Sequence, residues 1–83
     1  MTLAQIFADN LSALRRRAGL SQERLAQKAG LSVSYVSMLE RGARTAPLTT
    51  IELLCKVLDA SPAYMLQRNA HPPAPQRAAR RRS

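Results

Sequence analysis

The chain has 83 residues, with 13 Lys and Arg against 5 Asp and Glu, one Cys, one His and no Trp. That length allows one small domain, and a single Cys with a single His excludes both a disulfide framework and a structural zinc site. A net charge of +8 points to an anionic partner, nucleic acid first and an anionic membrane surface second. The three aromatics, Phe7, Tyr35 and Tyr64, are too few for a base-stacking platform.

Local preference is helical. Val, Ile and Thr together number 9 against 14 Ala, and the remainder is rich in Leu, Arg and Gln. The first helix is expected over about Leu3 to Ala18. Leu3, Phe7, Leu11 and Leu14 fall on one stripe, and Arg15, Arg16 and Arg17 suit the dipole of its last turn. Gly19 follows it as the left-handed residue that closes a helix. A second helix starts at Ser21 as N-cap, holds Leu25, Ala26 and Ala29, and closes at Gly30. A third starts at Ser32 as N-cap, holds Val36 and Leu39, and closes at Gly42. The fourth has a capping box, Thr49 with Glu52, ahead of Ile51, Leu54, Cys55 and Leu58 at i, i+3, i+4, i+7. A short fifth helix takes Ser61 as cap and Pro62 as its first residue, and carries Tyr64, Met65 and Leu66. No segment alternates like a strand. The fold class is all-α, five helices.

Residues 1 to 67 carry a net charge of +3 and residues 68 to 83 carry +5. The last stretch holds Pro72, Pro73 and Pro75, and no apolar side chain larger than alanine. Too little surface is available there to offset chain entropy, so 68–83 reads as a disordered basic tail behind a folded unit at 1–67. It is either an arm that tracks phosphates or a solubilising tail. His71 lies in it with no partner in view.

The informative stretch is Gln22 to Leu39. Ala26 follows Gln22 by four residues, Gly30 follows Ala26 by four, and Val36 follows Gly30 by six. Ala26 must be small because the next helix crosses close to it. Gly30 supplies the sharp turn between two short helices. Val36 and Leu39 anchor the third helix from inside, against Leu25, Ala29 and Leu31. Its outer face is left free.

Two stretches, Leu14-Arg15-Arg16-Arg17-Ala18-Gly19-Leu20-Ser21-Gln22-Glu23-Arg24-Leu25-Ala26 and Gly30-Leu31-Ser32-Val33-Ser34-Tyr35-Val36-Ser37-Met38-Leu39-Glu40-Arg41-Gly42, resemble the phage lambda repressor/Cro-like helix-turn-helix family, also called XRE-type. The resemblance covers about residues 3 to 66. It implies a compact lambda-repressor-like DNA-binding domain with helices 2 and 3 as the helix-turn-helix. By that resemblance the third helix, about 32–41, lies in the major groove of double-stranded DNA. Val33, Ser34, Ser37 and Met38 would then face base edges. The serines read with little preference, while Val33 and Met38 suit a thymine methyl. Ordinary helix packing is the other reading of Val33 and Met38. Family members often carry Gln or Arg here, so this chain would lean more on DNA shape and dimer spacing.

The DNA backbone would meet Gln22, Ser32, Tyr35, Arg24, Arg41 and Arg44. For the three arginines a solvated surface charge is the alternative. The resemblance also implies an ion pair, Arg15 with Glu40, that fixes the third helix to the first. It implies a transcriptional regulator, most often a repressor, that binds a palindromic operator as a homodimer. Tyr64, Met65 and Leu66 would form the dimer surface, or else close the core.

Cys55 is expected to pack as a reduced thiol. No catalytic set or phosphate-cradling loop is visible, so neither an enzyme nor a cofactor, metal or small-molecule ligand is expected. No apolar run reaches the length of a membrane span and no secretory leader is visible, so a cytoplasmic protein is expected. A different class also fits the composition: a protein-interaction module, for example an antitoxin-like one with a protein partner, whose basic tail binds nucleic acid without preference.

Overall fold

A computed structural model describes residues 1–68. The predicted basic tail, apart from Arg68, lies outside the described residues. Five helices follow in order: α1 (Leu3–Arg17), α2 (Gln22–Ala29), α3 (Val33–Glu40), α4 (Leu48–Leu58) and α5 (Pro62–Met65). There is no strand among the described residues, and none of their helices is long and apolar enough to cross a membrane.

The ends of these helices are written in single residues. Thr2 and Gln5 form a capping box on α1: Gln5 N–H donates to Thr2 Oγ1 at 3.2 Å, and Thr2 N–H donates to Gln5 Oε1 at 2.8 Å. Ser21, Ser32 and Ser61 cap α2, α3 and α5, each accepting from the backbone N–H three residues on at 3.0 Å. The expected capping box at Thr49 and Glu52 does not form. Instead α4 starts two residues earlier, with Pro47 as N-cap and no side-chain cap. The Pro47 carbonyl accepts from Thr50 and Ile51, so the fixed φ of proline starts the helix where a hydroxyl was expected to do so.

Four helices end in the same way. Leu20 N–H bonds to Arg15 O, Leu31 to Ala26 O, Ala43 to Met38 O and Ala60 to Cys55 O. Each bond spans a residue with positive φ. Three of these residues are glycines, as the sequence suggests. The fourth is Asp59 at φ 55°, a strained position for any residue with a Cβ, though Asp tolerates it better than most.

Phe7 and Leu11 of α1, Leu25, Ala26 and Ala29 of α2, Val36 and Leu39 of α3, Ile51, Leu54 and Cys55 of α4 and Met65 of α5 form one buried cluster. Leu3 does not join it. Its side chain is 59% exposed, because it sits in the first turn of α1, beyond the edge of the core. The buried face of α1 is broader than the expected stripe and includes Ile6, Ala8 and Asn10. Burial holds the Cys55 thiol above its ordinary pKa, and the Glu52 carboxylate nearby adds to the rise.

Candidate nucleic-acid interface

α2, the turn and α3 are built from short-range bonds before any packing. Gly30 ends α2 at φ 69°, and with nothing close to an added Cβ its role is conformational, not spatial. Two residues later Ser32 restarts the chain as α3. Val36 and Leu39 are fully buried, in the cluster that holds Leu25, Ala26 and Ala29. Ala26 lies almost wholly inside, so α3 can pack closely on α2. The inner face of α3 is thereby fixed.

The far end of α3 is fixed by charge. Arg15 Nε donates to Glu40 Oε2 at 2.6 Å, and Arg15 Nη2 to Glu40 Oε1 at 3.1 Å. The side chains are 14% and 5% exposed. This two-point fork is the strong form of an Arg–carboxylate contact. Arg15 Nη1 also donates to Leu20 O at 2.7 Å. Gln22 Nε2 donates to Glu40 Oε1 at 3.1 Å. One carboxylate therefore ties α1, α2 and α3 together. The amide of Gln22 has a second N–H and sits at the first residue of α2, beside its exposed amides.

The outer face of α3 is free. Val33 is 43% exposed, Ser34 is exposed, and Ser37 and Met38 are half-buried. Among the described residues the hydroxyls of Ser34 and Ser37 have no hydrogen bond. Ser32 Oγ accepts the Tyr35 N–H and keeps its own hydrogen for donation. The Arg44 guanidinium lies 5.9 Å from the centre of the Tyr35 ring, so a cation–π contact holds a loop arginine beside α3. Arg24 Nη1 donates to Gln27 Oε1 at 2.7 Å on the exposed side of α2. Arg41 is exposed at the end of α3. Val33, Ser34, Ser37, Arg41 and Arg44 thus stand on or beside one short helix, with Gln22 and Arg24 on the helix before it.

At α5 the expectation needs correcting. Met65 is fully buried and belongs to the core, so it presents no surface to a partner. It fills the space between α1 and α4, the two helices that pack on α5. Leu66 is half-buried against the same core. Tyr64 is half-buried, and its hydroxyl accepts from Arg17 Nη1 at 3.2 Å.

Besides the Arg44–Tyr35 stack and the Arg17–Tyr64 bond, two buried arrangements have no counterpart in the sequence pattern. One is the link from Gln22 to Glu40. The other is Asn10, whose buried amide serves the end of α5. A signal for Asn10 was present: it lies three residues after Phe7 and four before Leu14, a polar side chain on an apolar stripe.

The family profile HTH_3, Helix-turn-helix, matches residues 11–65. The control protein C.SmaI of Serratia marcescens is 37% identical over 68 residues, which span 82% of this chain and 81% of that protein. The crystal structure of the restriction-modification controller protein C.AhdI of Aeromonas hydrophila superposes with a TM-score of 0.72 at 42% identity, over 75% of this chain and 94% of that one. The biofilm master regulator SinR, crystallised in complex with DNA, superposes with a TM-score of 0.69 at 34% identity, over 74% of this chain and 98% of that one. The chain belongs to the helix-turn-helix family of DNA-binding transcriptional regulators.

Proposed function

We propose that the protein binds a palindromic operator as a homodimer and controls transcription from it, most often by repression. α3 enters the major groove with Val33, Ser34, Ser37 and Met38 toward the bases. Gln22, Ser32, Tyr35, Arg24, Arg41 and Arg44 meet the backbone. Val33 reads a thymine methyl by apolar contact, and the serines tolerate several bases. The likeness to C.SmaI and C.AhdI favours a restriction–modification controller as the particular role.

The observation that carries this reading is the asymmetry of α3. Its inner side is held by Val36, Leu39 and the Glu40 fork, while its outer side has an exposed Val33 and unbonded serine hydroxyls. Replacing Ser34 and Ser37 with Glu puts two carboxylates where phosphates and base edges would lie. Binding to the selected operator is expected to fall at least about thirtyfold, since each unfavourable base contact costs about 1–3 kcal/mol. Helicity by circular dichroism should stay unchanged. Undiminished binding by the doubly substituted protein would place the interface elsewhere.

A further inference from the structure

Asn10 and Arg15 stand five residues apart on α1, and each spends its donors on a different helix. Asn10 is 2% exposed. Its Nδ2 donates to Met65 O at 2.8 Å and to Gln67 O at 2.9 Å, with a longer contact of 3.4 Å to Tyr64 O. Met65 closes α5 and Gln67 lies two residues beyond it, where carbonyls run out of partners within the helix; Tyr64 O also accepts the Gln67 N–H at 3.2 Å. Arg17 adds a bond to the Tyr64 hydroxyl. Arg15 holds Glu40 at the end of α3. α1 packs on both α3 and α5, whereas α3 and α5 share no extensive contact of their own. The other route between them runs through α2 and α4.

A helix of four residues, as α5 is, does not hold a direction by itself. An apolar side chain at position 10 would fill the same space without the cost of burying an amide. The amide does what an apolar group could not: it fixes where α5 ends and how α5 lies on α1.

We infer that α1 is a brace between the recognition helix and the edge that meets a second copy, and that Asn10 is a positioning residue for half-site spacing. This rests on the homodimer proposed above and on a two-fold contact through Tyr64 and Leu66, the part of the dimer surface implied by the family resemblance that the burial of Met65 leaves at the surface. The recognition helices of such a dimer must lie about 34–36 Å apart. That distance is set by the path from α3 through α1 to α5, taken twice. A tilt of about 10° over the roughly 22 Å of a 15-residue helix moves its far end by about 4 Å. The step between base pairs is about 3.4 Å. A loosened brace therefore blurs spacing by a base pair or more.

The test uses duplexes with two selected half-sites at a series of separations, and one duplex with a single half-site. The unsubstituted chain is compared with Asn10→Leu and with Arg17→Ala, below the melting temperature of each. The unsubstituted chain should prefer one separation over its neighbours by about tenfold. Asn10→Leu should reduce that preference to about threefold or less, with single half-site affinity within about twofold. Arg17→Ala, which leaves the core intact, should shift the preference in the same direction by less. If Asn10→Leu does not fold, Arg17→Ala decides alone, by losing or keeping part of the preference. An unchanged preference, or an equal loss on single and paired half-sites, overturns the brace. A lack of any preference in the unsubstituted chain is a different failure, because it removes the dimer itself.

Discussion

Glu40 accepts three hydrogen bonds from two elements: two from Arg15 and one from Gln22. Its side chain is 5% exposed, so solvent does little to screen the pair. Removing one partner of a buried pair costs about 3–5 kcal/mol, because the other charge is left uncompensated. Glu23 lies exposed in the first turn of α2, where a carboxylate contributes about 0.3–1 kcal/mol through the helix dipole. Glu40→Ala should therefore lower the melting temperature several times more than Glu23→Ala. Equal shifts would contradict a buried fork. Cys55 gives a second expectation, in pH. Its folded pKa is raised by burial and by Glu52. The unfolded chain then loses the thiol proton first, so the contribution is complete below about pH 8.5 and is lost as pH rises above it. The advantage in melting temperature of the unsubstituted chain over Cys55→Ala should narrow between pH 7 and pH 10. A constant gap across that range would remove this linkage.

Among the elements, the crossing of α2 and α3 depends on one small side chain. Ala26 is 3% exposed, inside the cluster that holds Val36 and Leu39. Ala26→Leu inserts volume at a buried position against α3, and should cost about 1–3 kcal/mol by overpacking. It should also weaken operator binding at temperatures where the protein remains folded, because α3 is pushed off α2. A loss of stability with full DNA affinity would show that the crossing does not set the presentation of α3. This crossing was legible in the sequence, because Ala26, Gly30 and Val36 are each restricted by type at fixed spacing. Helix ends marked by glycine were legible for the same reason. The start of α4 was not, since Pro47 acts through its fixed φ while Thr49 and Glu52 imitate a capping box that does not form. The end of α4 was hidden because Asp59 takes a left-handed conformation that its side chain does not announce. Leu3 looked like core because periodicity says which face a residue is on, not where the core stops. Met65 was readable both as dimer surface and as core, and its full burial settles it in the core. Of the site, the free face of α3 followed from the pattern. The Gln22–Glu40 bond and the Arg44–Tyr35 stack depend on how loops and helix ends meet in space, which spacing alone does not carry.

At the scale of the molecule, charge and shape do different work. The +8 of the chain lies mostly beyond residue 67, and residues 1 to 67 carry +3. Phosphate contacts by these cations give affinity that weakens with salt and is indifferent to sequence. On the proposed reading, preference for one sequence comes from α3, from the deformability of the DNA and from the separation of two half-sites. Val33, Ser34, Ser37 and Met38, the proposed base-facing residues, include no bidentate base reader, so on that reading the second and third have more to supply. The proposed function requires that a symmetric pair of these chains read one operator. The most direct measurement is selection of bound sequences from a random duplex pool, repeated at low and moderate salt. A homodimer on a palindrome should enrich a two-fold symmetric motif, with half-site centres about one helical turn apart, that becomes sharper as salt suppresses non-specific binding. An unenriched pool, or enrichment of a single asymmetric site, would contradict it.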